Sequence, residues 1–136
     1  MSQPLAARTP GAKRAGAGEY LFPLAELAGA NRMKGGPTYS SAEGACVEGE
    51  RMIVALMRMA AGTGAEAHSH PNEQWIYILE GTFRMQIGDK AVEARPGSVL
   101  YIPADIVHSG KVIGDADVVF FTVKDASHGL HGSKAA

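Results

Sequence analysis

The sequence has a single cysteine, Cys46, so no disulfide can form within the chain. Burial and hydrogen bonding must hold the fold, and the scarcity of cysteine fits a reducing, cytoplasmic setting. Nothing near Cys46 in sequence would lower its pKa, so it reads as a small strand residue rather than a reactive thiol. Charge of one sign is not in excess: 13 Lys and Arg stand against 14 Asp and Glu, a net charge of −1. A nucleic-acid partner therefore lacks its basic footprint, and no helix-turn-helix segment flanks the central region. No apolar run nears the roughly 18 residues needed to cross a membrane as a helix. Internal repeats are absent. The stretch "MSQPLAARTPGAKRAGAG" carries Arg8, Lys13 and Arg14 but no apolar core. It is not expected to act as a secretory signal and reads as a flexible leader over residues 1–18.

What the chain does have is glycine and proline, 17 and 7 in 136 residues, with 46% apolar residues. One domain with a real core is expected, rich in turns. "EYLFPLAELAGA" and the loop after it form an N-terminal arm over 19–44, extended apart from a helical turn near 23–28. "ACVEG" and "RMIVALMRMA" pair as a hairpin, the second so apolar that burial on both faces is expected. "QWIYILEG" is β-branched and aromatic, and "TFRMQIGDKAVEA" alternates and turns at Gly88-Asp89. "ADVVFFTVKD" is the last strong strand, and residues 126–136 are a polar tail whose His128 and His131 belong to the surface. About eight short strands separated by regular turn signals predict an all-β sandwich or barrel over 45–125.

Residues i and i+2 of a strand point to one side, so His68 and His70 in "EAHSHPNEQ" aim two imidazoles at one point. Alone, such a pair is weak evidence for a metal. The spacing around it is more specific. Gly62, His68, His70, Gln74 and Gly81 match G-x5-HxH-x3-E-x6-G except at Gln74, and Gly97, Pro103 and His108 match G-x5-PxG-x2-H-x3-N. In the second block Asp105 replaces the glycine and Val112 the asparagine. The two blocks, in this order, resemble the two motifs of the cupin family. That resemblance implies a double-stranded β-helix, or jelly-roll barrel. It also implies one divalent transition metal per chain (Fe, Zn, Ni or Mn) on His68, His70 and His108, with Gln74 in the slot where most cupins carry glutamate. "HSHPNEQ" also resembles an HxHPxEQ variant found in small cupins that open unsaturated uronate sugars.

Glu73 competes with Gln74 for the fourth place. Gln74 shares strand parity with Ile76 and Ile78, whereas Glu73 shares it with Trp75, Tyr77 and Leu79, which favours Gln74. Met52, Met57, Met59, Phe83 and Met85 form a methionine-rich wall, either for a flexible organic substrate or as plain core. Arg84 and Gln86 share a face that is either interior, binding a carboxylate or hydroxyl, or a solvated hairpin. Arg58 is a candidate anion anchor or an edge charge, and Tyr101 a candidate proton donor near the barrel mouth or a structural tyrosine.

Three imidazoles and an amide are all neutral, so a bound divalent ion keeps its full charge and favours an anionic or enolisable ligand. An Fe(II) dioxygenase on a small aromatic or dicarbonyl acid is the first expectation. A redox-neutral isomerase or lyase on a sugar acid or keto acid is the second, and a non-catalytic ligand-binding module the third. A homodimer is expected from the family resemblance, with the 19–30 arm and the Trp75/Tyr77 face as its surfaces.

Overall fold

The computed structural model describes residues 8–135. Twelve strands and one helix follow in the order β1 (Lys13–Arg14), α1 (Leu24–Ala30), β2 (Met33–Lys34), β3 (Glu43–Glu48), β4 (Met52–Met59), β5 (Gly64–Ser69), β6 (Gln74–Glu80), β7 (Thr82–Ile87), β8 (Lys90–Ala94), β9 (Val99–Ile102), β10 (His108–Ile113), β11 (Val118–Asp125) and β12 (Ser133–Lys134). They build two facing sheets. One runs β1-β3-β4-β11-β6-β9 with β2 on β3, and the other β12-β5-β10-β7-β8. This is the all-β architecture that the strand pattern predicts, in the jelly-roll form that the motif resemblance implies. Among the described residues no helix is long and apolar enough to cross a membrane.

Alternation decides which side chains meet between the sheets. Ile53, Ala55, Met57 and Met59 of β4, Ile76 and Ile78 of β6, and Phe83 and Met85 of β7 are all buried. Each large one contributes roughly 1.5–3 kcal/mol of transfer free energy. On β4 only one face is closed: Met52 and Arg58 are exposed and Val54 and Leu56 half-buried, so its outer face keeps contact with water. The strand buried on both faces is β3, because α1 and the arm lie over it.

Both ends of the described residues are tied to the barrel, unlike the loose leader and tail the composition suggests. Lys13–Arg14 pairs in parallel with Val47–Glu48. The Arg8 N–H donates to the buried Glu48 carboxylate at 2.8 Å, and Arg14 stands 3.7 Å from it. The remaining leader residues, 1–7, lie outside the described residues. At the other end Ser133–Lys134 pairs with Ser69 and His68. Leu130 is buried, and its N–H donates to Thr9 Oγ1 at 2.6 Å. The Gly132 N–H donates to the Tyr39 hydroxyl at 2.8 Å. One buried leucine and a few backbone donors are enough to recruit a tail that looks polar overall.

Two motif positions need unusual backbone. Gly81 has φ of 80°, and a Cβ there would lie 2.3 Å from the Asp117 carbonyl oxygen. Asp105, at the position of the motif glycine, has φ of 65°. Aspartate tolerates this left-handed conformation better than most residues, so the turn survives the exchange. The Asp105 N–H then donates to the His70 carbonyl at 2.8 Å, joining the two motif loops.

Candidate metal centre

Antiparallel pairing of β5 and β10 places His68 directly opposite His108. His70 follows His68 by two residues and shares its direction. Gln74 opens β6 on the facing sheet. All three histidines are buried, and one ring nitrogen from each lies within 4.8 Å of the others. Ring centroids are 4.1 Å apart for His68 and His108 and 4.9 Å for His70 and His108. Among the described residues no carboxylate joins the cluster.

Hydrogen bonds set the tautomers. His68 Nδ1 donates to the Glu66 carbonyl at 2.7 Å, His70 Nδ1 to that of Asn72 at 2.7 Å, and His108 Nδ1 to that of Ile106 at 3.0 Å. A carbonyl can only accept, so each proton sits on Nδ1 and each Nε2 presents a lone pair. The Gln74 amide is oriented by the same logic. The Thr122 hydroxyl gives its proton to the Trp75 carbonyl at 2.7 Å and accepts from Gln74 Nε2 at 2.8 Å. Gln74 Oε1 must therefore face His70 Nε2, 3.1 Å away. Two acceptors confront one another there, and His108 Nε2 is buried with no partner.

Adding protons does not relieve this arrangement. Burial pushes the His68 imidazole down to about 4 and that of His70 to about 3, and it lowers His108 as well. The nearby Lys124 adds to the shift at all three. A divalent cation meets the need directly: three neutral imidazoles and an amide oxygen suit a borderline first-row ion. The backbone carbonyls behind each Nδ1 are the usual outer support of such ligands. The residues present fit the metal that the family resemblance implies.

A cavity of about 60 Å3 adjoins the centre, lined among others by His68, His108, Gln74, Met57, Phe83 and Met85. Four residues offered as pocket candidates lie elsewhere, each through strand parity, and take the surface alternative. Tyr101 is on the outer face of β9, donating to Glu73 at 2.6 Å and packed on Trp75. Its neighbours Leu100 and Ile102 point inward instead. Arg58 alternates outward between Met57 and Met59 and pairs with Asp117 at 3.1 Å. Arg84 is exposed beside Glu93 at 3.3 Å, and exposed Gln86 donates to the Gly88 carbonyl at 2.9 Å. Met52 also faces out, and Glu73 is exposed. His131, away from the centre, donates from Nε2 to the Lys34 carbonyl.

Tyr39, Asn72, Thr122 and Lys124 belong around the centre and carry no motif signal. The Tyr39 ring lies 3.9 Å from that of His68. Asn72 is fully buried and its side chain donates to the Asp125 carbonyl at 2.9 Å. Thr122 and Lys124 are buried on β11, but in "VVFFTVKD" both faces are apolar, so parity alone does not tell inside from outside.

Replacing His108 by alanine is expected to abolish retention of a transition metal, whereas Gln74→Ala weakens it less. Metal per folded chain, by mass spectrometry after desalting, measures both, and equal metal in the His108 variant contradicts the site. The metal-free protein should also be acid-sensitive. Unfolded histidine titrates near about 6.5, well above the buried His68 and His70 values of about 4 and 3. As pH falls, the unfolded chain takes up protons first, so stability is full above about pH 6.5 and declines toward pH 4 and below. The melting temperature between pH 7.5 and 4 should drop, and the drop should shrink when both His68 and His70 are replaced by glutamine. A wild-type melting temperature flat across that range contradicts buried neutral imidazoles.

The comparisons with known proteins agree with this geometry. The cupin domain profile matches residues 55–124, just over half of the chain. No curated protein matches the sequence. Among solved structures, the Schizosaccharomyces pombe Cnp3 cupin domain is similar at a TM-score of 0.59 and 19% identity, over 65% of this chain and 66% of that one. Bacillus subtilis oxalate decarboxylase, described with Mn(II) centres, is similar at 0.54 and 27% identity, over 57% of this chain but only 22% of its own. The DMSP lyase DddQ of Ruegeria pomeroyi is similar at 0.54 and 20% identity, over 60% and 41%. The chain thus spans about two thirds, a fifth and two fifths of these three proteins. With the fold, the motif spacing and the profile match in agreement, this chain belongs to the cupin family.

Proposed function

We propose that the protein is a metal-dependent enzyme that cleaves or isomerises a small carboxylic acid without net redox change. One observation carries the metal: His108 Nε2 is buried without a partner while Gln74 Oε1 and His70 Nε2 oppose one another 3.1 Å apart. A divalent ion on these groups supplies Lewis acidity, undiminished by any carboxylate ligand. The remaining work falls to the chain's own residues. Thr122 holds the amide in its ligating orientation. The carbonyls of Glu66, Asn72 and Ile106 keep each Nε2 unprotonated. Met57, Phe83 and Met85 give the cavity an apolar wall, which strengthens the electrostatic contacts beside it.

Cavity size supports the substrate class. About 60 Å3 admits roughly four to six waters, whereas an aromatic ring is accommodated by a site of about 150 Å3. A two- to four-carbon acid therefore fits better than the aromatic acid expected from sequence. The oxalate decarboxylase and DMSP lyase similarities lean the same way, as products of one fold used for bond cleavage. The neutral three-histidine set favours a second reading, an Fe(II) dioxygenase on a dicarbonyl acid.

Protein loaded with Mn, Fe, Zn or Ni would be offered a panel of short 2-oxo and dicarboxylic acids, with products followed by NMR and dissolved oxygen by electrode. Turnover without oxygen consumption is expected. Oxygen uptake matching product formation would replace the first reading by the dioxygenase, and no turnover with any loaded metal would favour the ligand-binding module.

A homodimer is part of the same proposal. Trp75, Tyr77, Leu79, Val99 and Tyr101 form an exposed apolar face along β6 and the edge strand β9. Such a patch favours association. Light scattering at micromolar concentration should give twice the chain mass, and a monomer mass would refute the dimer.

A further inference from the structure

Lys124 is a buried cation that metal binding leaves unexplained. It lies on the inner face of β11, opposite Gln74 of β6 on one side and Ile53 of β4 on the other. Its side chain lines the cavity that adjoins the histidines, and the residue is only 5% exposed. An ammonium has three N–H donors. Among the described residues Lys124 Nζ makes one hydrogen bond, to the Leu130 carbonyl, and no ion pair.

The nearest candidates for a counter-charge are already committed. Glu48 stands in the same inner row, beyond Ile53, but its Oε2 takes the Arg8 N–H and faces Arg14, while its Oε1 has no hydrogen-bond partner and makes no ion pair with Lys124 among the described residues. Cys46 is a buried thiol, held protonated by burial. The metal site beside Lys124 contributes no negative group, because its ligands are three imidazoles and an amide. One cavity therefore combines a metal site with neutral ligands and a lysine without a carboxylate. An uncompensated buried charge is costly, and burial draws the Lys124 ammonium down to about 7; an anion that enters the cavity beside Nζ holds it protonated and compensates it.

We propose that Lys124 binds the second carboxylate of a short dicarboxylate whose first carboxylate sits at the histidine centre. This rests on the metal-dependent reading above and narrows its substrate class from small acids to small dianions. The dianion offsets both cationic groups at once, and an acid with a single carboxylate leaves Lys124 unmatched. The competing role for Lys124 is purely structural, as a tether for the tail through Leu130.

The test uses the full chain loaded with zinc, with malonate and acetate as probes, since they differ by one carboxylate. Calorimetry on wild type and Lys124→Met gives the affinities, with zinc content checked before and after. In the variant, malonate should bind about ten- to a hundredfold more weakly, the scale of one charge-assisted hydrogen bond. Acetate affinity and zinc retention should stay as in wild type. Unchanged malonate affinity in a zinc-loaded variant overturns the anchor and leaves the metal centre standing. A wild type that retains no zinc removes the metal-dependent reading and this inference with it. If the variant does not fold, zinc-loaded wild type labelled at lysine 15Nζ decides. Malonate, unlike acetate, should move the Lys124 Nζ resonance, and a resonance that malonate leaves unmoved overturns the proposal.

Discussion

Buried lone pairs that point at one another are the constraint around which this molecule is arranged. Three Nε2 atoms and Gln74 Oε1 converge, and among the described residues none of them accepts a hydrogen bond from a donor. A protein interior does not hold such a cluster by default, because each unpaired acceptor forfeits its hydrogen bond to water. Here the backbone enforces it. Carbonyls two residues away from each histidine claim its Nδ1 proton, and Thr122 turns the amide of Gln74 with a hydroxyl whose own proton is committed to Trp75. The outer shell thus makes the ligands neutral, oriented and incapable of satisfying one another.

The fold supplies the rigidity this needs. His68 and His108 are opposed across a ladder, and the Asp105 N–H binds the His70 carbonyl, so both motif loops are fixed to one another. Gln74 comes from the facing sheet, and the centre therefore reports on the packing of the two sheets. The chain ends close the structure around it. Leu130 takes Thr9 through its N–H and Lys124 through its carbonyl, so one buried tail residue joins the leader to the cavity wall.

How much of this was legible depended on whether a pattern had one meaning. Ligand spacing did, and the positions of His68, His70 and His108 follow from it. Parity on β6 was equally clear, since Gln74, Ile76 and Ile78 alternate with the exposed Trp75 and Tyr77. It separates Gln74 from Glu73. Elsewhere residue type left two readings open. Arg58, Arg84, Gln86 and Tyr101 carry chemistry that suits a pocket, but their strands turn them to solvent, where they meet Asp117, Glu93, Gly88 and Glu73. Lys124 was hidden by the opposite fault. Its strand is apolar on both faces, and a lysine near its end reads as the solvated edge. The tail was misjudged because composition averages over residues, while anchoring needs only Leu130 and a short strand beside β5.

The central claim is that four neutral acceptors form one metal centre, and X-ray absorption at the metal edge of the zinc-loaded protein tests it most directly. The account predicts three imidazole nitrogens with their characteristic ring scattering, together with oxygen donors and no sulfur. A zinc spectrum with fewer than three imidazoles, or one dominated by carboxylate and water as at a surface site, would contradict it.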